Sequence, residues 1–341
     1  MRILKILIIA FTLVLTTVGL IFAGETFDQI KKRGFIKVGV NGGVHGFSAP
    51  DKRGVWRGLD VDTGKAIAVA VFGDLKKKRI VWVPLTAVQR FTALQSGEID
   101  VLARNGTHTL SRDTALGLDF VHVNYYDGQG FMVPKDLGVK SAKELGGATI
   151  CVIPGTTTEM NAADFFRTNG IRWKPVVIEN TSELFKAFFS NRCDVVTSDI
   201  SQLAGNRRGA MDPSKYMILQ DVISKEPLAP AVRHGDNEWR DIVNWCVLAM
   251  INAEELGITS KNVKKMRKSN DPKVKRFLGV TPGNGKALGL DEKWAYRIIK
   301  YVGNYGEVFE RNVGPNTPVG LERGLNALWK DGGIMYSPPM K

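Results

Sequence analysis

Between Phe35 and Thr197 short apolar runs alternate with amphipathic stretches, and the alternation happens twice. The first series runs from a strand over Phe35–Val40 through a Gly-rich loop to Arg57 and a helix over Thr63–Phe72. It continues as a strand over Arg79–Val83, a helix over Ala87–Gln95 and a strand ending at Ala103. The second series begins beyond Phe131–Pro134 with a strand over Ala148–Ile153 and a helix over Glu159–Thr168. A strand over Pro175–Ile178, a helix over Ser182–Asn191 and a strand over Asp194–Thr197 complete it. Strands separated by helices can pair in parallel, so each series specifies an α/β lobe, a mainly parallel sheet flanked by helices.

The chain crosses between lobes near Tyr125–Val133 and again near Glu226–Arg233, which assigns residues 24–130 and 232–341 to lobe 1 and residues 131–231 to lobe 2. A lobe inserted through two hinge crossings can rotate about them with its own core intact, and the cleft between lobes is where a site belongs. Helical segments over Glu238–Glu255 and Trp294–Phe309 return to lobe 1. The Pro-containing stretch Gly314–Lys341 is expected to wrap over that lobe without regular structure.

The first five residues carry Arg2 and Lys5, and Ile6–Gly24 is uncharged, the pattern of a signal peptide (residues 1–23) cleaved after Ala23. Ile21 stands where a small residue is usual, so an uncleaved membrane anchor is the alternative. The formal net charge is +13, spread through Lys31–Arg33, Lys76–Arg79, Lys261–Lys268 and Lys273–Arg276. No nucleic-acid-binding motif accompanies it, which argues for solvated helix faces and against DNA or RNA as a partner. Three cysteines remain after export, and an oxidising compartment favours pairing two of them. Cys151 and Cys193 fall on strands that one sheet could bring within bridging distance, whereas Cys246 sits in an amphipathic helix and suits a buried apolar position. No CxxC or His/Cys cluster suggests a metal, and no phosphate loop suggests a cofactor.

Three stretches carry chemistry. Arg112 closes the hydroxyl-rich run Asn105–Ser111, after a strand ending at Ala103. Pro154 and Gly155 break a strand into Thr156, Thr157 and Thr158 at the start of a helix, where free backbone N–H groups form an anion seat. Asp199 stands at the carboxyl end of another strand, the usual ligand position in open α/β sheets. A guanidinium, several N–H donors and a carboxylate are what hold a free amino acid by its two charged ends. Each element also has a plain structural alternative: an ion pair of Arg112 with Asp113 or Asp119, a threonine helix cap, and Asp199 as the cap of the helix it precedes. Phe47, in the Gly-rich loop, could wall the ligand or pack on its own lobe, and Glu159, Asp60, Asp62 and Asp100 are assigned structural roles.

The runs Gly58–Asp62, Ala93–Asp100, Thr107 with Thr109 and Arg112, Gly155–Glu159, and Asp194 with Asp199, in this order and spacing, resemble a periplasmic amino-acid-binding protein of an ABC importer (extracellular solute-binding protein family 3). Ser224–Leu228 and Asn304–Glu307 are similar to its polar and general L-amino-acid subgroup. The resemblance implies the type II two-lobed periplasmic-binding-protein fold, a monomer in the periplasm, and delivery of an L-amino acid to an inner-membrane permease with its ATPase. It also implies a carboxylate bound by Arg112 and by Thr157 with its neighbours, an ammonium bound by Asp199, added contacts from Asn105 and Thr107, and an aromatic stack near Phe47. Arg104 and His108 stand where the family varies. Two rival readings are an exported dehydratase or lyase on the same fold, for which no catalytic set can be assigned, and a membrane-tethered amino-acid sensor, which requires the leader to stay attached.

Overall fold

The computed structural model describes residues 25–76 and 78–341, so the leader and its cleavage site lie outside the described residues. Two five-stranded sheets organise them. In the first, Ile36–Val40 is central to a parallel set with Ile80–Pro84 and Val101–Leu102, and Ala231–Arg233 runs antiparallel between Val101–Leu102 and Leu118–Phe120. In the second, Thr149–Val152 pairs in parallel with Lys174–Val177 and Val195–Asp199, and Gln129–Pro134 runs antiparallel between Val195–Asp199 and Tyr216–Ile218. Each sheet therefore has one reversed strand, and in both it is the strand that has just come across from the other sheet. A chain arriving through the hinge enters at the cleft end and must run opposite to strands that finish there.

The crossings themselves pair: Tyr125–Asp127 and Glu226–Leu228 form an antiparallel ribbon, with Glu226 opposite Asp127. This ribbon joins the two lobes, and the side-chain amide of Asn326 in the C-terminal stretch brackets it, accepting from Tyr126 N–H at 2.7 Å and donating to the Tyr126 carbonyl at 3.0 Å.

Most helix positions follow the sequence pattern, with shifts that have local causes. The helix expected over Thr63–Phe72 starts at Leu59, because Gly58 at φ 129° lies so close to the Phe47 carbonyl that a Cβ would meet it at 2.0 Å. The segment expected as one helix over Trp294–Phe309 is two, Trp294–Tyr301 and Tyr305–Asn312. Gly303 at φ 95° ends the first, and a reciprocal cap between Asn304 and Glu307 starts the second, a signal present in the sequence as Asn-x-x-Glu. The C-terminal stretch is largely irregular and contributes Val319, Leu328 and Met335 to the main apolar core of the first sheet. Cys151 and Cys193 are joined by a disulfide, and Cys246 is buried and free.

Candidate functional site

The carboxyl ends of the two sheets face each other across the hinge and enclose a narrow gap with a cavity volume of about 30 Å³. Asn105, Thr107 and Arg112 reach it from one side, and Thr156, Thr157 and Asp199 from the other. Six of the seven residues named from sequence thus converge. Phe47 does not: it is fully buried in the first lobe, edge-on to Tyr125 at 5.1 Å, and is absent from the gap lining. The loop bearing it folds under the helix from Leu59, where Phe47 O receives the Asp60 N–H, so the ring is drawn into the core.

Arg112 lies in the short helix Leu110–Thr114, whose start is capped by Thr109. Among the described residues its guanidinium makes one hydrogen bond, from Nη1 to the Thr107 carbonyl at 2.8 Å, and it stacks over Phe91 at 5.1 Å. Neither suggested ion-pair partner is used: Asp113 faces His108 and Asp119 faces His234. Burial lowers the Arg112 pKa, with Glu226 and Asp199 opposing that shift. A held but carboxylate-free guanidinium at the edge of a gap is arranged for an incoming anion.

On the opposite side the helix Thr157–Thr168 points its amino end at the gap. The Thr156 hydroxyl caps it by accepting from Glu159 N–H at 3.1 Å, and the Glu159 carboxylate accepts from Gly155 N–H at 2.9 Å. Thr156 and Glu159 therefore serve the turn, and the remaining first-turn N–H groups have no acceptor within the helix. Asp199 behaves differently from a cap: its side chain makes no capping bond to the helix Ile200–Arg207. Its contact is Asn105 Nδ2 at 3.4 Å. Burial, then the nearby Asp127 and Glu226 carboxylates, push the Asp199 pKa well up, against the opposing pull of Asn105 and Arg90.

Sequence reasoning passed over four residues of this region. Glu226, on the hinge ribbon, is buried beside the gap and accepts from the hydroxyls of Thr107 and Thr157 (2.9 Å) through one oxygen, and from Asn161 and Ser224 (both 2.7 Å) through the other. A threonine hydroxyl has a single proton, so with it committed to Glu226 both hydroxyls turn lone pairs outward and can only accept from a ligand. That suits an ammonium near Thr107 and leaves carboxylate binding on the far side to backbone N–H groups, in place of the Thr157 hydroxyl. Gln202 follows Asp199 by three positions on the same helix, a spacing that signals a shared face. Arg90 and Asn41 also line the gap and had no local signal.

Apart from the Glu226 bridge between Thr107 and Thr157, the hydrogen bonds across the gap are long: Asn105 to Asp199, Asn105 to Gln202, Arg90 to Gly155, and Asn41 to Thr181 each at 3.4 Å. Normal bonds of this type lie nearer 2.9 Å. Three buried polar atoms in the lining, Arg90 Nε, Asn105 Oδ1 and Gln202 Nε2, have no hydrogen-bond partner among the described residues. Orphaned polar groups of this kind call for a polar guest.

Replacing Glu226 with glutamine is expected to weaken ligand binding by about 1–3 kcal/mol, or roughly 5- to 150-fold, because an amide cannot satisfy four donors. Calorimetry on the two proteins reads this, and unchanged affinity would contradict the orienting role.

A family model for bacterial extracellular solute-binding proteins, family 3, matches residues 36–263. The chain belongs to this family. Similar relatives extend the match to 94% of the chain. The general L-amino acid-binding periplasmic protein of Rhizobium johnstonii is 55% identical over 321 residues, 94% of each chain. The glutamate/glutamine/aspartate/asparagine-binding protein of Rhodobacter capsulatus is 53% identical over 320 residues, again 94% of each. Among solved structures, an ABC transporter periplasmic binding protein from Brucella ovis with glutathione bound superposes with a TM-score of 0.90 at 51% identity, covering 93% of this chain and 99% of that one. The two-lobed fold places the gap between lobes at the hinge.

Proposed function

We propose that this family 3 protein captures an L-amino acid in its interlobe gap and, closed around it, presents it to the permease and ATPase of an ABC importer. Supporting the reading above all is the arrival in one gap of a carboxylate-free guanidinium from one lobe, and of a helix amino end and a buried acid from the other. An α-amino acid brings the matching carboxylate and ammonium. The relatives from Rhizobium and Rhodobacter are named for amino acids, and the Brucella structure holds a tripeptide with an α-amino-acid end, which favours the same class here. Export to the periplasm follows from the charged-then-apolar leader and from the naming of the Rhizobium relative. A protein of this kind works as a monomer and without catalysis.

Long interlobe bonds explain why a ligand is needed for closure. Driving an open-favoured 1:99 population to 99:1 closed takes about 5.5 kcal/mol of preferential binding. Contacts at 3.4 Å supply little of that, whereas charge-assisted bonds of about 1.5–3 kcal/mol each, shared between lobes by one zwitterion, supply it readily.

A thermal-shift screen against the natural amino acids tests the proposal. At a hundred times Kd a ligand that binds only the folded state adds about 2.7 kcal/mol, a rise of several degrees in Tm. No shift with any amino acid would overturn it. Turnover of a candidate substrate on incubation would favour the dehydratase or lyase reading, and a mature chain that still begins at Met1 would favour the tethered sensor.

A further inference from the structure

The loop of residues 41–48 in the first lobe lies against the helix Ile200–Arg207 of the second. A Cβ added at Gly205, within that helix, would meet the His45 carbonyl oxygen at 2.6 Å and its carbon at 3.4 Å. One added at Gly43 would meet the Ser182 hydroxyl at 2.5 Å. Across the gap at Gly155 the approach to Val88 is an ordinary 3.7 Å, so the lobes touch more tightly along the loop than there. Gly205 is buried and its backbone is helical, a setting in which alanine is the better residue, so helix formation does not account for it. The loop itself has nowhere to retreat. A Cβ at Gly46 would stand 2.9 Å from both Val313 and Val319, the Gly46 carbonyl accepts from Leu59 N–H at 2.9 Å, and Ser48 Oγ accepts from Asn41 N–H at 3.0 Å. Val313 and Val319 belong to the part of the chain beyond residue 263, where the family match ends.

We propose that this contact is a closure stop, with Gly205 the positioning residue that fixes how far the lobes come together around a ligand. The inference rests on the capture and closure proposed above and adds the element that sets their end point. The atom facing Gly205 is a backbone oxygen, which does not swing aside as a side chain does. Contact is reached there while the polar pairs Asn105 to Asp199, Asn105 to Gln202 and Arg90 to Gly155 still stand at 3.4 Å. The stop, and not those bonds, therefore sets the width of the gap, and a ligand completes the bridge. A methyl group at position 205 must either displace the His45 carbonyl or hold the lobes apart. With the loop backed by Val313 and Val319, rotation about the hinge ribbon is the softer response. Gly43 is the weaker half of the stop, because the Ser182 hydroxyl can turn to another rotamer.

Thermal scans, calorimetry with the natural amino acids and stopped-flow fluorescence on the parent and Gly205→Ala test the stop. The ligand-free variant is expected to melt at or above the parent's Tm, because parted lobes leave room for the methyl group and alanine suits the helix. The amino acid that binds the parent most tightly should bind the variant about tenfold or more weakly. That loss should be carried by faster dissociation, with the association rate kept within about threefold, since the ligand first meets the open form and only the closed form is strained. Affinity within about threefold of the parent's, a loss carried by slower association, or a lower Tm in the ligand-free variant each overturns the stop while leaving amino-acid capture standing. A parent to which no natural amino acid binds overturns both. Should Gly205→Ala yield no folded protein, Gly43→Val, whose branched side chain the Ser182 hydroxyl cannot clear by turning, is read by the same three measurements.

Discussion

Arg112→Ala abolishes amino-acid binding at ordinary calorimetric concentrations. The argument is geometric and electrostatic together. The guanidinium is buried, is fixed by one bond to the Thr107 carbonyl and by its stack on Phe91, and has no carboxylate bonded to it among the described residues. Its free N–H groups are therefore already oriented when the ligand arrives, so little ordering entropy offsets the charge-assisted pair. Truncating one partner of a buried charge pair costs about 2–5 kcal/mol, roughly 30- to 4,000-fold in Kd. Arg112→Lys should recover only part of this, because an ammonium cannot make two parallel bonds to a carboxylate. Near-native affinity in the alanine variant would show that the carboxylate sits elsewhere.

Asp199→Asn gives the second large effect, with a signature that separates binding from folding. Burial and the Asp127 and Glu226 carboxylates raise the Asp199 pKa in the empty protein. A carboxyl group with a raised folded pKa contributes stability that is present at low pH and is lost as pH rises through that folded value. Wherever the pH lies above its unfolded pKa the buried acid therefore burdens the ligand-free fold, and the amide removes the burden. The empty variant should melt no lower than the parent, and its ligand-induced rise in Tm should vanish, with an affinity loss again of about 2–5 kcal/mol. The same linkage sets the pH dependence. The ammonium favours ionised Asp199, so parental binding weakens as pH falls through the raised pKa, and the residual binding of the variant does not follow that titration. A variant that binds as tightly as the parent, or that loses stability without losing the ligand response, would remove Asp199 from the site.

The outcome for each candidate residue follows from how local its signal is. Arg112, Thr157 and Asp199 each sit where a strand breaks into a turn or helix, and such breaks are visible in a few consecutive residues. The turn chemistry of Thr156 and Glu159 is equally local, and it resolves into a cap and its brace. Phe47 was ambiguous because a loop aromatic reads the same whether it faces a ligand or the core, and only the close approach of Gly58 to the Phe47 backbone decides that it turns inward. Glu226 and Arg90 gave no warning. A charged residue in an ordinary stretch reads as solvated surface, and their burial results from the lobes meeting.

Sequence alone determined the α/β lobes, the paired crossings, the candidate partners Cys151 and Cys193, and three of the groups that meet a zwitterion, since each depends on periodicity or on a turn a few residues long. Tertiary structure alone decided that the groups share one gap, that hinge residue Glu226 sets the hydroxyl directions, and that Arg90 and Arg104 line the same gap. Those properties are distances and desolvation between segments more than a hundred residues apart in some pairs, as Thr107 and Glu226 are at a separation of 119. No local pattern of residues encodes such a distance; it exists only when the chain has crossed the hinge twice and closed.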